Sequence, residues 1–367
     1  MYIPTARMLL RRALMAVPVS ALVVLVAGSP AHPGAVGLNW SSSGRLLAFW
    51  SDSGLYAVNT VQGGVIRLSA NGAQGFCSPD GLKVAWADRD GTFVYRMDTK
   101  AAVRVAEPGR VKEWSPDSEW VLLEASPSGQ AWEIYAAHAD GKGAAPLAAH
   151  PATDRDATWS PDGRWIAFVS DRDGARSDIW VVGGNRSQLT RVTSMFAAGE
   201  PAWSPDASKL AFVGQLTASA SRLIYSLDFK TNKLTELTSV TDGDCRAPKF
   251  LSNGVLRYTS RQDMVVELAT GRKRKLPRGE LSPDATMVAA LSGRPGALDI
   301  VKLHDGSRLS LAKGVEACAW SADGRLLAYL ALTTGPGSGL MRELRIAAPG
   351  TEGVYVLWSE GLRRPTG

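Results

Sequence analysis

Residues of the types that usually perform catalysis are few in this 367-residue sequence. The four histidines lie far apart, and no two have the spacing of a metal-binding pair: His32, His138, His150 and His304. No Gly-x-Ser-x-Gly motif, which places a nucleophilic serine on a tight turn, occurs either. We therefore expect a protein that is not an enzyme, with no catalytic residue, no metal ligand and no cofactor.

Carboxylates are the second group that suggests chemistry, because two segments, 88–91 and 171–174, share the sequence Asp-Arg-Asp-Gly. Oxygen ligands suit calcium, but neither segment matches the EF-hand loop, and the arginine weakens any cation site. Aspartate and glycine also favour hairpin turns for purely conformational reasons. We favour hairpin turns here, with calcium binding as the alternative.

The elements that would position such residues are indicated by a recurring turn, Ser160-Pro161-Asp162-Gly163. Proline presets the backbone at the second position, aspartate bonds nearby amides at the third, and glycine accepts the left-handed conformation at the fourth. We call the first residue of each such turn the marker. The eight markers, of which the first and sixth begin degenerate turns, are Ser41, Ser78, Ser115, Ser160, Ser204, Leu251, Ser282 and Ser321.

The segments around each marker predict β-strands. Around Ser160 we expect a first strand ending at Trp159 and a second at 165–169 that is buried on both faces. Two further strands are expected at 178–182 and 188–192, so one repeat is four antiparallel strands. The markers lie on average about 40 residues apart, and this period with four strands is typical of a β-propeller blade.

The sequence thus predicts an all-β protein, a β-propeller of eight four-stranded blades at residues 36–360, followed by a tail at 361–367. The last blade is expected to include strands at 344–347 and 354–358. Seven blades is the alternative, if the degenerate first repeat contributes only a closing strand. Bulky residues that precede the markers are expected to fill the wedge between neighbouring blades: Trp40, Trp114, Trp159, Trp203, Phe250, Leu281 and Trp320.

The pattern Trp-Ser-Pro-Asp-Gly, an apolar run, Ser-Asp-Arg-Asp-Gly and Ile-Trp-Val-Val resembles the TolB-type (WD40-like) β-propeller repeat. The resemblance extends over nearly all of the chain after about residue 37 and is strong at 157–182 and 202–213. In TolB itself the family implies a separate α/β domain ahead of the propeller, for which this sequence has no room, and a periplasmic partner. The resemblance therefore implies a protein or peptide ligand without implying TolB's own role.

The first 35 residues differ from the rest of the chain. Arg7, Arg11 and Arg12 precede an apolar run at 13–27, and the segment contains no acid. This arrangement predicts a secretory signal, with small residues for cleavage at 29–31, and thus an extracytoplasmic protein that is secreted or held in the cell envelope. An uncleaved membrane anchor is the alternative, although the run is short for a full span.

The formal net charge of +6 does not indicate nucleic-acid binding, because half of it comes from the three arginines of the N-terminal segment. A basic cluster at 272–275 with Arg278 falls where the outermost strand of a blade is expected. Charges there discourage pairing between edges, and binding to an anionic surface or cell-wall polymer is the alternative. Of Cys77, Cys245 and Cys318, two stand at strand positions that should be buried as free thiols, with one disulfide as the alternative.

A candidate binding site follows from the repeat, since propellers usually bind ligands at the channel mouth, where loops lead into the innermost strands. The charged residues four positions before a marker are Asp156, Glu200 and Arg278, with Arg155 and Arg246 beside them. We predict that these five residues bind a ligand; the alternative is that they are solvated loop residues.

The expected function is that of an exported, monomeric, non-enzymatic module that binds a protein or peptide. The competing class is a carbohydrate lyase or hydrolase that uses carboxylates at the channel mouth. A rigid spacer on the cell surface is the third alternative.

Overall fold

The computed structural model describes residues 36–361 except 72, 128, 130, 175, 294, 336–338 and 350–353. The expected signal or anchor and residues 362–367 lie outside this part. Within it the chain forms 31 strands and one 3-10 helix, Val240–Asp242, so the all-β prediction is confirmed.

The strands are β1 Gly37–Trp40, β2 Leu46–Ser51, β3 Gly54–Asn59, β4 Val65–Ser69, β5 Phe76–Cys77, β6 Lys83–Asp88, β7 Gly91–Arg96, β8 Ala101–Ala106, β9 Arg110–Trp114, β10 Trp120–Ala125, β11 Glu133–His138, β12 Ala144–Pro146, β13 Asp154–Trp159, β14 Trp165–Ser170, β15 Asp178–Gly183, β16 Thr190–Arg191, β17 Ala197–Trp203, β18 Lys209–Gln215, β19 Leu223–Asp228, β20 Lys233–Glu236, β21 Arg246–Ser252, β22 Val255–Thr259, β23 Asp263–Glu267, β24 Lys273–Lys275, β25 Glu280–Leu281, β26 Met287–Gly293, β27 Gly296–Lys302, β28 Arg308–Trp320, β29 Leu327–Thr334, β30 Leu340–Ala347 and β31 Val354–Gly361.

The strands form sheets in which neighbours follow chain order, and the chain divides into two compact units. Unit 2, Ala87–Val94 with Ala102–Leu276, contains the four-stranded sheets β9–β12, β13–β16, β17–β20 and β21–β24. Unit 1, the remainder of the described chain, contains β1–β4 and a seven-stranded sheet, β25–β31. The residues of the sheet β5–β8 are divided between the two units.

The seven-stranded sheet is explained by its long middle strand, β28. The N-terminal part of β28 pairs with β27, from Arg308 opposite Val301, and its C-terminal part pairs with β29, to Trp320 opposite Leu327. The seven strands are thus two four-stranded groups that share β28. Over the described residues, the sheets are therefore compatible with the expected eight blades.

The marker turns recur because their side chains form hydrogen bonds with the backbone that follows each turn. The Ser160 hydroxyl donates to Asp162 Oδ1 (2.6 Å) and accepts the Trp165 amide (2.9 Å), while Asp162 Oδ1 also accepts the Arg164 amide (3.1 Å). Ser160 is completely buried, so its hydroxyl would otherwise lack a partner. The same pair of serine bonds forms at Ser78, Ser115, Ser204, Ser282 and Ser321.

The strands predicted around Ser160 are present with one difference. β13 ends at Trp159, β14 is buried on both faces beyond its first residue, and β15 begins at Asp178. The fourth strand, expected at 188–192, is limited to Thr190–Arg191. Its start is delayed because Gln188 has a left-handed backbone (φ 58°), which an extended strand does not accommodate.

Five of the bulky residues before the markers pack against apolar residues of a neighbouring sheet or, for Trp320, of the neighbouring four-stranded group, as predicted: Trp40, Trp159, Trp203, Phe250 and Trp320. Trp203 packs against Ala167 and Val169 of the preceding sheet. Its indole N–H donates to the Thr158 carbonyl (3.3 Å), and that of Trp320 donates to Glu280 (2.9 Å). Burying such a side chain stabilises the fold by roughly 1.5–3 kcal/mol, which gives these tryptophans a structural role.

In unit 1 the first sheet packs directly on the last strands. The rings of Phe49 and Tyr56 lie 5.0 and 5.1 Å from that of Trp358. Nearby, the guanidinium of Arg342, which is only 7% exposed, donates to Glu316 and to Asp52 at 2.6 Å each. The N-terminal and C-terminal sheets are therefore joined by side chains.

Candidate functional site

The first strands of the four sheets in unit 2, β9, β13, β17 and β21, contact one another in chain order. Each has a bulge where its pairing with the second strand is irregular. At three of the bulges the backbone is left-handed, with φ of 56° at Asp156, 53° at Glu200 and 52° at Ala247. We call Lys112, the extra residue of β9, together with these three the bulge row. Bulges turn side chains away from the directions of the regular pleat. The row therefore marks a common position on the four first strands where side chains leave the regular pattern.

The two ends of these first strands are named for what they carry. The turn end carries the marker turns, and the bulge end carries the bulge row. The loop between β15 and β16 is at the turn end, because the Gly184 amide donates to the Arg164 carbonyl (2.7 Å). The loop between β11 and β12 is there too, because the Ala139 amide donates to the Glu119 carbonyl (2.9 Å).

At the bulge end, two cations and two carboxylates join β9 to β13. Lys112 Nζ lies 3.3 Å from Glu124 Oε1 and 3.7 Å from Asp156 Oδ1. Glu124, whose side chain is only 8% exposed, accepts the amide of Asp156 (2.7 Å). Arg155 Nη1 donates to Asp156 Oδ2 (2.9 Å). The buried carboxylate therefore holds the left-handed backbone of the next sheet, and the exposed groups balance one another's charge.

The row continues from β13 to β21. The Arg155 side chain reaches the next first strand, β17, beside Gly199, the neighbour of Glu200. Its Nη1 atom lies 3.9 Å from where a Cβ atom on Gly199 would be. Glu200 Oε2 in turn accepts the amide of Ala247 in the following sheet. A carboxylate of one sheet thus secures a bulge amide of the next at two places, Glu124 to Asp156 and Glu200 to Ala247.

Four of the five predicted binding residues lie at the bulge end. Arg155 and Asp156 are in direct contact, and Glu200 belongs to the same row. Arg246 is the exposed first residue of β21. Arg278 is exposed, follows β24 and belongs to unit 1. That these residues bind a ligand stays a prediction.

Sequence reasoning missed Lys112 and Glu124. Val111 holds the place four before Ser115, so alignment on the markers pointed to an apolar residue one place too early. Glu124 is the one carboxylate in the otherwise apolar strand β10. A buried acid in such a strand needs a hydrogen-bonding partner, and that signal was present in the sequence.

The two Asp-Arg-Asp-Gly turns differ despite their identical letters. The Arg172 guanidinium is 6% exposed, lies 2.8 Å from Asp154 and faces the rings of Phe168 and Trp180 at 5.3 and 5.0 Å. Burial raises the pKa of Asp154, although Ser170 and Arg172 oppose the shift. Arg89, by contrast, is 85% exposed.

Metal binding by these turns stays untested. Among the described residues, no three or more histidine, cysteine, aspartate or glutamate side chains are grouped so that they could hold a metal ion. In the turn at 171–174, the buried side chain is that of Arg172, whose positive charge opposes the binding of a metal cation.

Burial also shifts the pKa of a carboxyl group in β9. Glu113 in β9 is 7% exposed, and burial raises its pKa to about 8 despite hydrogen bonds from Thr158 and the Trp159 amide.

The three cysteines are free thiols, so the alternative of a disulfide is not realised. Of the two cysteines that lie in strands, Cys77 is buried as expected and Cys318 is only partly buried, while Cys245, which precedes β21, is buried. Burial raises the pKa of Cys77.

No helix in the described part of the chain has the length and apolar character needed to cross a membrane.

Several known structures share the fold. An oligogalacturonate lyase in complex with manganese aligns with a TM-score of 0.52 and 15% identity, over 85% of this chain and 88% of that one. A prolyl endopeptidase aligns with a TM-score of 0.54 and 15% identity, over 95% of this chain and 59% of that one. TolB from Acinetobacter baumannii aligns with a TM-score of 0.43 and 16% identity, over 76% and 78%. At such identities the likeness concerns the fold alone.

The sequence comparison gives the family. No curated protein matches the sequence. The family model of the TolB beta propeller domain matches residues 78–263, just over half of the chain, and this region contains five of the eight markers and all of the sheets β9–β12, β13–β16 and β17–β20. The chain is therefore a β-propeller and belongs to the TolB beta propeller domain family.

Proposed function

We propose that this protein is an exported, non-enzymatic binding module whose bulge end receives a protein or peptide. The observation that carries the proposal is the construction of the bulge row, in which rigid backbone presents partly exposed charges. The side chains of Lys112, Asp156 and Arg155 are 31%, 36% and 44% exposed, while buried Glu124 fixes the backbone beneath them. A preformed set of charges loses little conformational entropy when a ligand binds.

The carboxylates of the row support binding rather than catalysis. Asp156 is paired with Arg155 and Lys112, and Glu200 accepts the Ala247 amide. A general acid or base must exchange its proton with a substrate, whereas these carboxylates already serve protein groups. A carbohydrate lyase or hydrolase would need both of them to be released.

The proposed compartment is outside the cytoplasmic membrane. It is supported by the apolar run that follows Arg7, Arg11 and Arg12 in the sequence. A rigid propeller with variable loops suits a scaffold in the cell envelope, because the loops can change without disturbing the sheets.

The experiment is capture of proteins from the envelope fraction of the source organism by the immobilised chain from about residue 32. The row variant carries Arg155→Ala, Asp156→Ala, Glu200→Ala and Arg246→Ala, and the control carries Lys142→Ala, Arg164→Ala and Arg186→Ala at the turn end. A thermal melt confirms that each variant is folded.

We expect the wild-type chain and the control to capture the same protein and the row variant to lose it. Capture that survives in the row variant would contradict the proposed site. Turnover of a carbohydrate that disappears in the double variant Asp156→Ala/Glu200→Ala would replace the proposal with the enzyme alternative.

A further inference from the structure

We infer that the ligand of the bulge end is an acidic peptide segment, whose carboxylates are received by Arg110, Arg176 and Arg246. The inference rests on the proposed function and specifies the chemistry of its ligand.

Loops of three sheets in unit 2 are hydrogen-bonded to the bulge end of the following sheet. In each case an amide six positions before a marker donates to a carbonyl in the loop between the second and third strands of the preceding sheet, at 2.7–2.8 Å. The donor and acceptor residues are Asp154 and Trp132, Ala198 and Ser177, and Cys245 and Arg222. The loops that contain Trp132 and Arg176 therefore border the bulge row.

Two exposed arginines at this end are stacked on aromatic rings. The guanidinium of Arg110, the first residue of β9, lies 4.2 Å from the ring centre of Trp132. That of Arg176 lies 5.1 Å from the ring of Phe196, which directly precedes β17. Stacking orients a planar guanidinium and leaves its N–H edge for a carboxylate, which it can bind through two parallel hydrogen bonds.

The acids around these arginines are already engaged. Besides the carboxylates of the row, Asp171 accepts the Thr153 amide at 2.8 Å. Asp173 pairs with Arg191 at 2.9 Å, and Asp244 pairs with Arg222 at 3.4 Å.

Positive charge is therefore left over at the bulge end. Among the described residues, no carboxylate forms an ion pair with Arg110, Arg176 or Arg246. All three are exposed, so the bulge end presents cations that the protein itself does not neutralise.

A peptide fits this end better than an anionic polysaccharide. Asp156 and Glu200 remain partly exposed beside the arginines and would repel carboxylates fixed on the rings of a polysaccharide, whereas flexible peptide side chains can direct their carboxylates to the arginines. A peptide supplies carboxylates for the arginines and backbone N–H donors for the remaining lone pairs of these two acids. The mixture of charges therefore favours acidic side chains on a peptide backbone.

The test measures fluorescence anisotropy of a labelled hexaglutamate peptide, with hexalysine and an uncharged peptide as comparisons, on the chain from about residue 32. The variant carries Arg110→Gln, Arg176→Gln and Arg246→Gln. The matched control carries Lys142→Gln, Arg164→Gln and Arg186→Gln, which remove the same charge from the turn end, and Arg186 is likewise stacked, 5.9 Å from Trp120.

We expect hexaglutamate to bind the wild-type chain and to prefer it over both other peptides. The variant should bind about tenfold more weakly, because each of three exposed ion pairs contributes modestly, and the control should stay within about twofold. Binding should also weaken with added salt.

Three results would overturn the inference. Equal weakening in the control would indicate general charge attraction. Arginine-dependent binding of a uronic-acid hexasaccharide without binding of hexaglutamate would make the ligand a carbohydrate. Absence of hexaglutamate binding would refute the acidic ligand. If the wild-type chain still captures an envelope protein that the row variant loses, the proposed function remains intact, and if the wild-type chain captures none, both are refuted.

Discussion

The two ends of the first strands are built by different means. At the turn end the residue types recur, and neighbouring turns contact one another: in unit 1 the Ser43 amide donates to Pro79 (3.0 Å), and in unit 2 the Asp206 amide donates to Asn253 (3.1 Å). At the bulge end the backbone recurs, with nearly the same left-handed φ in three sheets. The residues there differ, being Lys112, Asp156, Glu200 and Ala247.

This difference shows where the sequence is constrained. At the turn end the marker serine itself makes the structural hydrogen bonds, so the same side chain recurs in every repeat except that of Leu251. At the bulge end the stabilising carboxylate comes from the preceding sheet, as Glu124 does for Asp156. Except at Glu200, which itself holds the bulge at Ala247, the bulged residue is therefore free to vary. Surface positions on a fixed frame are where binding specificity can be placed.

The largest expected difference between the ends is in packing. Trp203→Ala should lower the free energy of unfolding by about 3–5 kcal/mol, because it leaves a cavity between two sheets. Arg246→Ala, at the bulge end of the next sheet, should change it by less than about 0.5 kcal/mol. Denaturant unfolding measures both, and a loss below about 1 kcal/mol for Trp203→Ala would contradict its wedge role.

A second difference concerns buried and exposed carboxylates. Since the pKa of Glu113 is raised from 4.5 to about 8 in the folded protein, the folded state holds the proton over a range in which the unfolded state has lost it. The free energy of unfolding should therefore fall as the pH rises from about 5 to about 8, with a slope of up to about 1.4 kcal/mol per pH unit from this group.

Unfolding curves at several pH values, compared between the wild type and Glu113→Gln, isolate this contribution. The variant should lack the slope, whereas Asp156→Asn at the bulge end should retain it. An unchanged slope in Glu113→Gln would show that another group is responsible.

The third comparison removes hydrogen bonds from each end. Ser160→Ala removes a fully buried hydroxyl and leaves the partly buried Trp165 amide without its side-chain partner, so it should cost about 1–3 kcal/mol. Asp156→Ala removes half-exposed ion pairs and should cost about 0.2–1 kcal/mol. The midpoints of urea unfolding, compared between variants whose unfolding free energy has the same dependence on urea concentration, measure the two losses. Equal losses would remove the distinction between the ends.

The smallest effect concerns the backbone alone. Ala247→Gly should stabilise the protein by about 0.5 kcal/mol, because relief of left-handed strain slightly exceeds the added entropy of the unfolded chain. Gly163→Ala, at φ 71° in the turn end, should destabilise it by a similar amount or more. Thermal unfolding of the pair checks both signs, and destabilisation by Ala247→Gly would show that the methyl group makes a needed contact.

Much of the fold was predictable because its causes are local. The marker turn, the apolar run after it and the bulky residue before it lie within about ten residues, and each repeats along the chain. Since the marker fixes a position along the first strand, counting back from it also placed Asp156 and Glu200 at one end. The same counting missed Lys112, because the bulge of β9 is displaced by one residue relative to the markers.

The sequence alone determined the repeating elements, since strands, turns and wedge residues depend on local conformational preference and on the need to bury apolar side chains. Only the tertiary structure decided which charges meet. Identical Asp-Arg-Asp-Gly letters leave Arg89 exposed and bury Arg172, because Asp154 and two aromatic rings surround only the latter. Likewise, Glu124 reaches Asp156 across 32 positions of the chain. Contacts of this kind depend on how neighbouring sheets pack, and no local pattern in the sequence encodes them.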